Sequence, residues 1–185
     1  EARWEAENLM ASEKNLLKPA TGAPVTTPQQ DIALGCYYLT KYDETDTSEV
    51  KKFFSSPREA RFAHKTRRIH LRERIKVRFD DLSKFPKEHD AVIETSLGRI
   101  LFNEIFPDKI PYFNEAVTKK HLGKIIELSL ELYGQEETAH VLDAMKSVGF
   151  KYVTKSGYSL GMDDFGHIKE KAGVLSDGDQ RVLAV

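Results

Sequence analysis

Ile69-His70-Leu71-Arg72-Glu73-Arg74-Ile75-Lys76-Val77-Arg78-Phe79 is the run whose reading decides the fold class. Ile69, Leu71, Ile75, Val77 and Phe79 stand at odd positions, and Arg72, Arg74, Lys76 and Arg78 at even ones. Successive side chains of a strand point to opposite faces. The alternation therefore predicts a half-buried strand with a basic face toward solvent. Ala91 to Thr95 is predicted as a second strand, with Gly98 ending it in a turn. Ile100 to Phe106 reads as a short apolar element stopped by Pro107.

On both sides of this β element the period becomes helical. Ser56-Pro57-Arg58-Glu59 supplies a cap, a first-turn proline and a capping-box glutamate, opening a short helix through Ala60 and Phe62. Thr27, Pro28 and Gln30 repeat that pattern ahead of Ile32, Leu34 and Tyr38. Asp43 to Ser48 is polar and reads as a loop, as does Lys18 to Pro24 with its two prolines and glycine. Ala2, Ala6, Leu9 and Met10 fall on one face of a short helix. Downstream, Thr118 caps a predicted helix holding Leu122, Ile125, Ile126 and Tyr133, closed by Gly134. Thr138, Val141, Leu142, Met145 and Val148 define another, closed by Gly149. Their short connection predicts an αα-hairpin. Residues 151–166 read as irregular, and Gly173, Ser176 and Gly178 argue against a helix in 169–185. The fold class is α+β: short helices and a small antiparallel β element, followed by an αα-hairpin. Three stretches are expected: mixed α/β over 1–110, helical over 111–168, and a trailing part over 169–185.

Composition narrows the function classes. Of 185 residues, 40% are hydrophobic and 31% charged, as in soluble globular proteins. The formal net charge of −1 excludes a uniformly basic nucleic-acid binder, so any such role needs a local patch. The single cysteine, Cys36, permits neither an internal disulfide nor a four-cysteine zinc site, and a reducing cytoplasm fits. No apolar run approaches the roughly 20 residues of a membrane span. Glu1-Ala2-Arg3-Trp4 carries neither an initiator methionine nor a signal peptide, and the expectation is a piece of a longer chain.

Candidate chemistry is sparse. Arg58 to Arg78 holds nine Lys or Arg against two Glu, a density able to hold phosphates by displacing counterions. The candidate nucleic-acid contacts are Arg67, Arg68, Arg72, Arg74, Lys76 and Arg78. Aromatic stacking platforms are missing from the stretch, and a solvated strand face is the competing reading. Asp163-Asp164 in a glycine-rich loop lacks the further carboxylates of a hard-cation site, so turn closure or capping is the better reading. His64, His70, His89, His121, His140 and His167 have no metal-ligand spacing. Cys36, beside Tyr37 and Tyr38 in a helix, reads as a buried small apolar residue. Phosphate-loop, dinucleotide and nucleophile-elbow motifs are lacking. No catalytic, cofactor or metal residue is assigned.

The turn-forming and uncharged residues carry a resemblance. Glu1-Ala2-Arg3-Trp4, Met10 and Asn15-Leu16-Leu17-Lys18-Pro19-Ala20-Thr21-Gly22-Ala23-Pro24 resemble E-A-R-x-L-M…N-N-I-L-S-P-A-N-G-x-P of the largest-subunit (β′) family of bacterial DNA-dependent RNA polymerases. Pro28-Gln29-Gln30-Asp31 with Leu34-Gly35-Cys36-Tyr37-Tyr38-Leu39-Thr40 is similar to that family's P-S-Q-D-x-x-L-G-x-Y-Y-x-T. Arg74-Ile75-Lys76-Val77-Arg78, Thr95-Ser96-Leu97-Gly98-Arg99 and Val117-Thr118-Lys119-Lys120 resemble A-R-[IV]-K-V-R, T-T-V-G-R and L-T-K-K. Gly149-Phe150-Lys151-Tyr152, Ser156-Gly157 and Ser159-Leu160-Gly161-Met162-Asp163-Asp164 resemble G-F-x-Y-A-x-R-S-G-x-S-[IV]-G-I-D-D. The matches keep the family's order over about residues 1–168.

The resemblance implies an internal segment of a large multidomain subunit, following the N-A-D-F-D-G-D loop that holds catalytic Mg²⁺. It implies a scaffold for the active-site barrel and for the channel admitting nucleotides. The parent would be a cytoplasmic, nucleoid-associated nucleotidyltransferase with no membrane contact. It would assemble with β, α, ω and σ subunits and hold DNA template and RNA. Its Mg²⁺ and Zn²⁺ would sit on residues outside this chain, and the isolated chain would be inactive. Some relatives bind a guanine-nucleotide alarmone through a Lys, an Asp and a Tyr; here Glu136, Asp143 and Ser147 stand at those positions, and the site is expected to be lost. The rival reading is a free-standing α+β nucleic-acid-binding or interaction module using the Arg58–Arg78 face.

Overall fold

A computed structural model describes residues 1–43, 50, 52–85, 91–166 and 169–183. The expected loop at residues 44–48, His89 and His167 lie outside the described residues. The secondary structure begins with α1 (Ala2–Glu5), which continues as a wider turn over Ala6–Met10. α2 covers Gln30–Thr40, β1 Phe53–Phe54 and α3 Pro57–Lys65. β2 (Ile75–Arg78), β3 (Val92–Thr95) and α4 (Leu97–Asn103) follow. α5 runs over Lys119–Ser156 and α6 over Lys171–Leu183. The architecture is α+β.

The sheet has the order β1-β2-β3. β2 and β3 are antiparallel, with Ile75 opposite Thr95 and Lys76 opposite Glu94, while β1 adds a parallel edge not expected from the sequence. The basic strand is shorter than the predicted Ile69–Phe79. Glu73 Oε2 accepts from His70 N at 3.0 Å and closes a turn there. The carbonyls of Leu71 and Arg72 are taken by Gly98 N and Asp43 N, at 2.9 and 3.1 Å, so they cannot join a ladder. Within β2 the alternation holds: Ile75 and Val77 are buried, Lys76 and Arg78 exposed.

Helix starts follow capping chemistry where a side chain reaches the backbone. Ser56 accepts from Glu59 N, Pro57 sits in the first turn, and Glu59 Oε2 reaches back to Ser55 N at 2.7 Å. Ser96 likewise accepts from Arg99 N, which makes Gly98 part of a helix and not the expected turn. Thr27 and Pro28 do not open α2. Pro28 is buried in the loop, Gln29 is extended, and Gln30 has φ 49°, so the helix starts later without a side-chain cap.

The predicted hairpin forms inside α5. Thr118 and His121 make its capping box, and Gly134 leaves helical geometry at φ 78°, ψ −171°. Thr138 Oγ1 donates to Ser129 Oγ at 3.0 Å. In a straight helix nine residues rise roughly 13 Å, so the chain doubles back at Gly134. The second arm does not stop at Gly149. It continues to Ser156 and ends at Gly157 in the left-handed region (φ 64°). α6 is helical despite its two glycines, and none of its residues is buried.

Two buried clusters share the core. The larger joins Cys36 and Leu39 of α2 and Phe102 of α4 to Leu122, Ile125, Ile126, Val141 and Met145 of both hairpin arms. It draws on both sides of the expected boundary at residue 110. The smaller packs Ala60 and Ala63 of α3 on Ile75, Val77, Leu97 and Ile100.

Candidate functional site

The six basic residues singled out above lie on more than one element. Arg67 holds φ 59° at the end of α3, and Arg68 carries a carbonyl that accepts from Lys52 Nζ at 2.9 Å. The Arg72 guanidinium lies 4.5 Å over the Tyr38 ring and 3.7 Å from Asp43, and that of Arg74 lies 4.9 Å over Tyr42. Arg74, Lys76 and Arg78 share the open side of β2. There Glu94 faces Lys76 across the sheet, and Asp80 lies 3.9 Å from Arg78. Opposite charges at such spacing reduce the local potential available to a phosphate.

The centre of the molecule holds a polar knot that the sequence reading missed. Arg99 is 6% exposed, and no described carboxylate pairs with it. Its Nε donates to Thr40 O at 2.9 Å, and its Nη1 to Asn114 O at 2.5 Å and Asn114 Oδ1 at 3.2 Å. The guanidinium stacks 3.7 Å from the Tyr42 ring centre. Thr40 Oγ1 donates to Cys36 O at 2.8 Å and accepts from Val117 N at the same distance, tying α2 to the entrance of α5. Asn103 Nδ2 donates to Arg99 O and Phe113 O, and its Oδ1 accepts from Phe113 N. Burial lowers the Arg99 pKa, and Tyr42 and Tyr112 oppose that shift. Burial raises both Tyr42 and Tyr112. A guanidinium satisfied by carbonyls fixes geometry. It offers no acid or base near neutral pH. The one signal in the sequence was an arginine set among the apolar Leu97, Ile100 and Phe102.

The remaining chemistry-bearing residues are engaged locally. Burial pushes the Cys36 thiol up to about 12, so it is a thiol and not a thiolate nucleophile at neutral pH. Asp164 Oδ2 accepts from Gly161 N at 2.7 Å and closes a turn. His64 Nδ1 lies 3.0 Å from Ile69 O, and His121 caps α5. Among the described residues no three His, Cys, Asp or Glu side chains cluster as metal ligands would. Glu136 and Asp143, seven residues apart, share one face of the second hairpin arm, with Ser147 a turn further on. Asp143 hydrogen-bonds Lys146 Nζ at 2.6 Å, and that bond lowers its carboxyl pKa.

Residues 15–165 match the family described as RNA polymerase Rpb1, domain 3. The chain belongs to that family. All of the chain aligns with the DNA-directed RNA polymerase subunit β′ of Thermoanaerobacter pseudethanolicus at 40% identity, covering 17% of that subunit. Its identity to the β′ subunit of Syntrophomonas wolfei is 38%, again with 17% coverage. The β′ subunit of Methylacidiphilum infernorum is 36% identical, with 14% of its length covered. The chain thus spans about one sixth of the length of the curated relatives it matches. Among the described residues, no helix is long and apolar enough to cross a membrane.

Proposed function

We propose that this chain is a structural segment of a bacterial RNA polymerase β′ subunit. In this reading it buttresses the active-site barrel and walls the channel that admits nucleotides. The observation that carries the proposal is similarity along the whole chain to β′ subunits, at 36–40% identity. The buried Arg99 knot supports it, because its groups hold elements in place and leave none to react. The parent enzyme extends RNA by attack of a 3′ hydroxyl on an α-phosphate with two metal ions. The described residues do not fit a metal: no suitable donor cluster exists. In this reading Mg²⁺ and Zn²⁺ are held by residues elsewhere in the subunit. Positioning dominates phosphoryl transfer, so a scaffold segment can govern rate without touching substrate. Partners in this reading are the β, α, ω and σ subunits, with DNA and RNA engaged through the whole cytoplasmic enzyme. The alarmone site stays an expected loss. Glu136 repels phosphate where a cation is needed, and calorimetric titration of the assembled enzyme with a guanosine tetraphosphate should show no binding there.

The test is a chimera. This chain replaces the matching segment of a relative's β′ subunit, and the reconstituted enzyme is assayed for template-directed RNA synthesis. Assembly with near-native synthesis, and no synthesis by the isolated chain, is the expected result. Failure to assemble, together with submicromolar salt-sensitive DNA or RNA binding by the isolated chain, would favour a free-standing binding module using the Arg58–Arg78 face.

A further inference from the structure

The geometry points to a docking site for a carboxylate-rich protein segment with an apolar anchor, in the cleft between α3 and the end of α5. The occupant would come from the part of the polymerase that lies outside this chain. This inference rests on the chain being built into a β′ subunit.

The cleft has a volume of about 520 Å³. Arg61, His64 and Lys65 line it from α3, and Lys151 and Lys155 from α5, and among the described residues none that lines it is acidic. In a chain of net charge −1, that is a local concentration and not a reflection of composition. Arg61 pairs with Glu104, which does not line the cleft. Lys65, Lys151 and Lys155 form no ion pair with any described carboxylate. Lys151 and Lys155 are one turn apart and hold their ammonium groups 5.6 and 5.5 Å from the Tyr152 ring. Like charges at i, i+4 repel, so the cluster is unfavourable alone and is relieved by an incoming carboxylate.

One feature selects a protein segment over a phosphate ligand. The floor is formed by Leu71, Leu97 and Leu101, which suits an aliphatic or aromatic anchor and gives a phosphate nothing. The relatives are about six times longer than this chain, and the rest of such a subunit is the proposed source of the occupant.

The experiment uses the chimeric β′ subunit assembled with its partner subunits. It is treated with a carbodiimide, which joins lysine to carboxylate only in direct contact, and mapped by mass spectrometry. The expected result is cross-links from Lys65, Lys151 or Lys155 to Asp or Glu beyond residues 1–185. Acylation of these lysines should fall at least fivefold on assembly. Lys151→Glu with Lys155→Glu should cut incorporation into the enzyme several-fold. Lys151→Arg with Lys155→Arg should restore incorporation while losing the cross-links from positions 151 and 155. Undiminished acylation after assembly overturns the inference. So does protection that requires added tripolyphosphate or single-stranded DNA, which would assign the cleft to phosphate. Failure of the unaltered chimera to assemble, read from subunit stoichiometry, removes the underlying reading and this inference with it.

Discussion

Arg99 is a buried cation whose charge is answered by two carbonyls, an amide oxygen and the face of Tyr42. Removing it strands the buried Thr40 carbonyl, where an unsatisfied group costs about 1–3 kcal/mol, while the oxygens of exposed Asn114 can turn to solvent. Arg99→Met, which keeps much of the volume, should therefore lower stability by roughly 1–3 kcal/mol in urea denaturation. A loss under 1 kcal/mol would mean that the knot is not holding the core. Cys36 gives a pH dependence. Its thiol ordinarily ionises near 9.0, and burial moves that to about 12. Between those values the unfolded chain has lost a proton that the folded chain keeps. Stability should therefore be fully present below pH 9 and decline above it, by up to about 1.4 kcal/mol per pH unit from this group. Tyr112, raised in the same direction, adds to the decline from about its ordinary 10 upward. Denaturation midpoints from pH 8 to 11, with Cys36→Ala flattening the first part of the slope, check this assignment.

At the scale of elements, the glycines do the most and say the least in sequence. A Cβ on Gly35 would overlap the Gly149 carbonyl, and one on Gly98 would overlap the carbonyl of Leu39. A Cβ on Gly149 would come within 2.7 Å of Ile32 O. These positions let backbones touch where side chains would hold them apart. Gly35→Ala should destabilise by about 2–4 kcal/mol, because overpacking against backbone outweighs the roughly 1 kcal/mol that alanine gains in a helix. Gly123 has nothing within 4 Å of an added Cβ. Gly123→Ala should therefore change stability with the opposite sign, by about +0.5–1 kcal/mol. Chemical denaturation of the two variants side by side decides the point. The same residues mark how far the sequence could be read. Gly134 as a turn, Gly149 as a helix contact and Gly157 as a cap look alike in one chain, and Gly149 was assigned the cap that Gly157 makes. The αα-hairpin, the Ser56 cap and the alternation of Ile75 to Arg78 were legible, because each is encoded within a few residues. The Arg99 knot and the lysine cleft were not. Their parts come from Thr40 and Asn114, or from Arg61 and Lys151, and only the folded chain brings them together.

Across the whole molecule, apolar side chains are left open at both ends. Trp4, Leu9 and Met10 are exposed near the start, and Leu160, Met162, Phe165, Val174, Val182 and Leu183 near the finish. Exposed apolar residues in this number fit surfaces that are covered in an assembly. A 13-residue helix with two glycines and no buried residue is marginal by itself. Hydrogen exchange should find α6 unprotected in the isolated chain and protected in the assembled chimera, while the hairpin is protected in both. Equal protection of α6 in the two states would argue that it is a stable element by its own propensity. The doubling back at Gly134 also sets an order of events in time. The Ser129–Thr138 bond closes a loop of nine residues, whereas Gly35 must find Gly149 across more than a hundred. Loop closure favours the nearer pair, so the hairpin can form first and serve as the template on which α2 settles late. Thr138→Val should then slow refolding, while Gly35→Ala should chiefly speed unfolding. During synthesis, α2 would leave the ribosome long before its groove exists, and must wait unpaired until the chain beyond residue 150 arrives.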